Sequence, residues 1–201
     1  HDLEIRGAGE LLGEDQSGQI HEIGFSMYTE LLERAVKALK AGKEPALLAP
    51  LDHGTEVDLR IPALLPEDYL PDVHTRLVMY KRIASAPNAD ALRELQVEMI
   101  DRFGLLPPQA KNLFRLAEIR LKAQNLGVTK VEAGPGGGVL VFTEQPQVDP
   151  VRIIRLIQQQ PSVFRLDGQQ KLRFKQDLAE PDQRVRAVEQ LIDSLADRQA
   201  A

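Results

Sequence analysis

The stretch Val128-Thr-Lys-Val-Glu-Ala-Gly-Pro-Gly-Gly-Gly-Val-Leu-Val-Phe-Thr143 decides the fold class of this chain. Its apolar residues change from helical spacing to a period of two, which predicts short strands over Val128–Ala133 and Val139–Thr143. The connection Gly134-Pro-Gly-Gly-Gly138 suits a hairpin. A phosphate loop is a poor reading of the same glycines. No Lys or Ser/Thr closes them, and a strand follows where a helix would have to begin.

Upstream of this hairpin the pattern is helical. Pro107-Pro108 opens a helix with Ala110, Leu113, Phe114, Ala117 and Leu121 inward, and Gly127 stops it. Before it, Asn88 caps a helix carrying Leu92, Leu95, Met99 and Phe103, ended by Gly104. Asp72 caps another, running to about Ala86 with Val73, Leu77, Tyr80 and Ile83 inward. Glu56-Val-Asp-Leu-Arg-Ile61 alternates as a half-buried strand does.

Downstream, Asp149-Pro150 starts a helix to about Gln160. Phe164, Leu166, Leu172 and Phe174 mark the buried positions of a second hairpin, turning at Asp167-Gly168. Pro181 to about Asp197 is a helix with Val185, Val188, Leu191, Ile192 and Leu195 on one stripe. Helices and strands come in blocks, so the class is α+β, with about five helices and short antiparallel hairpins in the domain.

The first 50 residues read differently. Phe25 to Ala41 forms one helical stripe, and Lys43–Gly54 has two prolines and no period, which marks a linker. The domain boundary is placed there, dividing residues 1–50 from residues 51–201. The segment before the helix, residues 1–19, is polar and rich in glycine (Gly7, Gly9, Gly13 and Gly18). Glycines let a backbone approach another chain closely, and the guanidinium of Arg6 suits a phosphate or carboxylate partner.

Composition narrows the function classes. The 201 residues contain no Cys and no Trp, and only 4% are aromatic, which disfavours thiolate metal sites and base-stacking platforms. No apolar run reaches the roughly 20 residues of a membrane span, so no membrane partner is expected. The formal net charge is -5, made of an acidic front and a basic back: residues 107–201 carry 14 basic and 11 acidic side chains. Such a chain should capture DNA poorly by itself. The four histidines have no metal-ligand spacing, and no serine sits in a nucleophile elbow.

Two charged surfaces remain open to two readings each. Asp90, Glu94, Glu98 and Asp101, with Arg102 beside them, lie opposite the apolar stripe of their helix, as a solvated face or a docking surface for a basic partner. Arg165, Lys171, Arg173 and Lys175 alternate with the buried set of the last hairpin, as a solvated face or as candidate phosphate contacts.

The segment Asp2-Leu-Glu-Ile-Arg-Gly-Ala-Gly-Glu-Leu-Leu-Gly13, with Gln16-Ser-Gly18, resembles the motif that RecG helicases share with the bacterial transcription-repair coupling factors (the Mfd family). The coupling factors are favoured by Ile23-Gly-Phe-Ser-Met-Tyr-Thr-Glu-Leu-Leu32, Leu64-Leu-Pro-Glu-Asp-Tyr-Leu-Pro-Asp-Val73, Arg76-Leu, Tyr80-Lys-Arg-Ile-Ala84 and Ile100-Asp-Arg-Phe-Gly104. The resemblance spans essentially the whole chain, which starts at His1 rather than Met and reads as a piece of a longer protein.

The resemblance implies a parent that translocates on duplex DNA with ATP and Mg, displaces stalled RNA polymerase, recruits UvrA and works in the cytoplasm. Residues 1–19 would be its translocation motif at the end of the second motor lobe. Arg6 and Gln16, with Gly7, Gly9 and Gly13, would couple motor closure to movement. Residues 51–201 would be a regulatory domain lying on the UvrB-homology module and masking the UvrA site. Glu94, Glu98, Asp101 and Arg102 are the expected docking residues. The nucleotide-binding motifs would lie upstream, so neither catalysis nor a bound cofactor or metal is expected of these residues alone.

Overall fold

The carboxylate of Asp72 accepts hydrogen bonds from the Thr75 amide at 3.1 Å and the Thr75 hydroxyl at 2.6 Å, as the cap of the helix Val73–Ser85. The computed structural model describes residues 54–196. The helix over residues 25–41, the linker and the boundary near residue 50 lie outside those residues. In chain order the described elements are β1 (Glu56–Asp58), α1 (Val73–Ser85), α2 (Ala89–Phe103), α3 (Pro108–Asn125), β2 (Val128–Gly134), β3 (Gly137–Phe142), α4 (Pro150–Gln159), β4 (Phe164–Asp167), β5 (Lys171–Lys175) and α5 (Pro181–Ala196). The class is α+β, as expected. The chain divides into two units, which among the described residues are 62–114 and 54–61 with 115–196.

In the first unit, Asn88 caps α2 by accepting from the Ala91 amide at 2.8 Å. Leu92, Leu95 and Met99 are its buried stripe, and Gly104 ends it at φ 96°. Helix α1 buries Met79, Tyr80 and Ile83. Val73 was expected inward but is 46% exposed, because the burial of α1 is confined to its second half. Tyr80 accepts a hydrogen bond from the Leu65 amide at 2.6 Å, and the Asn112 side-chain amide donates to the Pro62 carbonyl at 2.8 Å. The proline-rich segment is thereby tied to the helices although it forms none itself.

The second unit is a five-stranded sheet in the order β1-β2-β3-β5-β4 with α4 and α5. The two predicted hairpins are present, β2–β3 and β4–β5, both antiparallel. Their inner neighbours β3 and β5 also pair antiparallel. The expectation of hairpins alone fails at β1, which pairs parallel to β2. Helices α1 to α3 separate the two strands in sequence, a connection long enough for parallel pairing.

Strand β1 is also shorter than Glu56–Ile61. It stops at Asp58 because Arg60 takes φ 53°, which no strand tolerates. The β2–β3 turn is tighter than predicted: Gly134 pairs with Gly137, leaving only Pro135 and Gly136 between the strands. Leu166, a core position by its spacing, is 49% exposed, since among the described residues β4 is the edge strand of the sheet. The stripe of α5 is as predicted, with Val185, Val188, Leu191, Ile192 and Leu195 buried.

Candidate functional site

Helix α2 turns its charged side outward. At 3.6 residues per turn, Asp90, Glu94, Val97 and Asp101 fall on one narrow strip, opposite Leu92, Leu95 and Met99. Val97 is 59% exposed at the middle of that strip, with Ile100 and the 85% exposed Leu105 also in solvent. The strip thus combines carboxylates with an exposed apolar side chain, a composition open to solvent and to a cationic partner alike. Glu94 and Asp101 are both exposed and available to such a partner.

Glu98 has a different role. Arg82 of α1 donates to both of its carboxylate oxygens, at 2.5 and 2.8 Å, and Arg102 adds a third bond at 3.0 Å. The hydrogen bonds from Arg82, then those from Arg102, hold the Glu98 carboxyl well below its usual range, at about 2. Arg102 also stands 4.7 Å from the centre of the Phe103 ring, whose edge meets Tyr69 at 6.2 Å. Glu98 and Arg102 are therefore engaged within the unit, while Glu94, Val97 and Asp101 face solvent.

The second surface lies on the sheet. Asp58, Glu132, Val139, Arg173 and Arg165 stand in register across all five strands, so charge runs from acidic at β1 and β2 to basic at β5 and β4. Two residues further along, Lys175 pairs with Gly137, which pairs with Gly134. Gly134 leaves room for the Arg60 guanidinium to lie over it, and a groove of about 630 Å³ opens there between Arg60, Arg165, Arg173 and Lys175. Glu132 also lines it. Arg173 donates to Asp167 at 2.5 Å, which lowers the Asp167 pKa. Lys171, in register with Asp167, lies outside the groove lining.

The groove has a structural anchor that sequence reasoning missed. Arg184 of α5, only 4% exposed, donates to four carbonyls: Leu59 at 2.9 Å, Arg60 at 3.1 Å, Leu178 at 3.0 Å and Ala179 at 3.3 Å. Burial, and then the charge of Arg60, lower its pKa. A guanidinium is suited to this task because its donors are fixed in a plane. No local pattern marks Arg184, since its bond to the Arg60 carbonyl connects positions 124 residues apart.

Of the residues singled out in the sequence, Arg6, Gly7, Gly9, Gly13 and Gln16 lie outside the described residues. Glu94, Glu98, Asp101 and Arg102 share α2, and Arg165, Arg173 and Lys175 share the groove with Arg60. Among the described residues no group of three or more His, Cys, Asp or Glu side chains is placed to hold a metal ion, and no helix is long and apolar enough to cross a membrane.

The sequence model of the TRCF domain matches residues 59–153. The chain is 54% identical, over its whole length, to the transcription-repair-coupling factor of Escherichia coli (strain K12), of which it covers 18%. It is 52% identical, over 98% of its length, to the corresponding protein of Haemophilus influenzae, of which it covers 17%. The chain thus spans less than a fifth of these curated relatives. In fold it is similar to the crystal structure of a C-terminal domain of transcription-repair coupling factor, with a TM-score of 0.58 at 21% identity over 73% of this chain and 97% of that one.

Proposed function

The chain belongs to the transcription-repair coupling factor family, and from that premise we propose that it is a regulatory docking module within a longer ATP-dependent DNA translocase. The longer protein would displace stalled RNA polymerase on duplex DNA and recruit UvrA for excision repair. ATP and Mg would be bound by its motor lobes, upstream of these residues, and the work would take place in the cytoplasm. This part would hydrolyse nothing itself. Its residues 1–19 would pass motor closure on to the duplex through Arg6 and Gln16. Its residues 51–201 would rest on the UvrB-homology module and cover the surface that UvrA needs.

One observation carries the docking role: Val97, 59% exposed, sits at the centre of the acidic strip of α2. Release from the module would be a population shift, and a coupling of roughly 1–3 kcal/mol is enough to move it several-fold or more. The test is made in the full-length protein. Replacing Val97 with Asp and Asp101 with Lys should raise both UvrA binding and basal ATPase rate, because the covering contact is weakened. Unchanged values for both would remove α2 from that role.

A further inference from the structure

Arg60 is the one non-glycine residue at positive φ among the described residues, at φ 53°. Left-handed backbone at a residue with a long side chain is strained and persists only where the surroundings impose it. Here they do so from three sides. The Asp58 carboxylate accepts the Arg60 amide at 3.1 Å. The buried Arg184 holds the carbonyls of Leu59 and Arg60. The guanidinium itself lies over Gly134, where an added Cβ would come within 3.0 Å of its Nη1 atom. A strained backbone held by a buried cation thus aims an exposed cation across a glycine floor.

We propose that this groove binds the phosphodiester backbone of a nucleic-acid strand, with Arg60 as its fixed ligand and Arg165, Arg173 and Lys175 as flanking cations. The lining decides the chemistry. The lining holds four cations, of which Arg173 is already bonded to Asp167, against one carboxylate, Glu132, itself paired with Lys130, so the ligand is an anion. Strands β3 and β5 are paired on both sides, so the floor has no free edge on which an acidic peptide could form a ladder. Phe164 and Phe174 are buried against each other, which leaves no ring on which a base could stack. What remains is contact with successive phosphates. Arg173 and Lys175 present cations about 6.7 Å apart along β5, and Arg165 stands directly beside Arg173. Such contacts position a backbone without reading sequence. The net charge of -5 keeps the binding weak, so the groove guides a strand held elsewhere.

The test uses the full 201-residue chain and fluorescence anisotropy with labelled oligothymidylate, duplex DNA and polyglutamate. Expected are dissociation constants of roughly 10⁻⁴ to 10⁻⁵ M for DNA at low salt, falling steeply in affinity between about 50 and 200 mM. Lys175→Gln and Arg60→Gln should each weaken binding roughly three- to tenfold and flatten the salt slope by about one unit. Gly134→Ala should act in the same direction without changing charge, because it displaces the Arg60 guanidinium. Lys111→Gln, at an exposed position of α3 outside the groove, is the control and should change neither. Since Lys175 is exposed, its variant carries the test should Arg60→Gln unfold. No DNA binding at low salt, binding indifferent to Lys175→Gln, or equal capture of polyglutamate overturns the proposal.

Discussion

Both carboxylate oxygens of Glu98 are held by the guanidinium of Arg82, at 2.5 and 2.8 Å, joining α2 to α1 with a two-pronged ion pair. Bidentate geometry distinguishes this contact from ordinary surface pairs, which contribute little. It also changes the meaning of the acidic strip. A carboxylate already satisfied by two arginines has little to offer a further cation, so in the proposed docking role recognition would fall to Glu94 and Asp101 beside Val97.

The pair makes stability depend on pH in a definite direction. The folded-state pKa of Glu98 is lowered from 4.5 to about 2, so its contribution is present above the unfolded value and is lost as pH falls from 4.5 toward 2. Glu98→Gln should lower the melting temperature by roughly 2–4 °C at neutral pH. The difference from the parent chain should close as pH drops through that window. Thermal melts of both chains from neutral to acid pH check this, and a difference that widens in acid contradicts it.

Arg184 should be among the least replaceable side chains of the sheet unit. Arg184→Met keeps the volume but leaves four carbonyls without their donor, those of Leu59, Arg60, Leu178 and Ala179. Loss of such a buried charged hub should cost about 3 kcal/mol. Urea unfolding measures it, and a midpoint unchanged from that of the parent chain would show that the carbonyls find other partners. Arg184→Lys should recover only part of the loss, since one ammonium cannot span all four acceptors.

These two arginines also show what a sequence conceals. The α+β class, all five strands (β1 read too long) and the helix caps Asp72, Asn88 and Asp149 follow from local chemistry: periodicity, glycine stops and short polar caps. The partner of Glu98 was not legible, because Arg82 lies on another helix and the choice between solvated and paired depends on how the helices pack. Arg60 was read as one polar position of an alternating strand. Its left-handed turn is held by Asp58, two residues before it, and by Arg184, far along the chain, and only the first of these is local. Leu166 failed for a related reason, since period two gives the face of a residue but not whether its strand ends the sheet.

Residues 1–19, outside the described residues, carry a separate prediction. In the full-length protein, Arg6→Ala should leave ATP hydrolysis within about twofold of normal while duplex translocation and polymerase displacement fail. Translocation on a triplex-displacement substrate, measured beside the ATPase rate, separates the two. Normal translocation would remove Arg6 from the coupling role.

Direct binding between this chain and the UvrB-homology module tests the regulatory proposal without the motor. Calorimetric titration should show saturable one-to-one association. Val97→Asp combined with Asp101→Lys should weaken it by at least about tenfold, a loss of about 1.4 kcal/mol. Lys175→Gln, on the other unit, should leave it unchanged. Absence of association, or association indifferent to Val97 and Asp101, would contradict docking through α2.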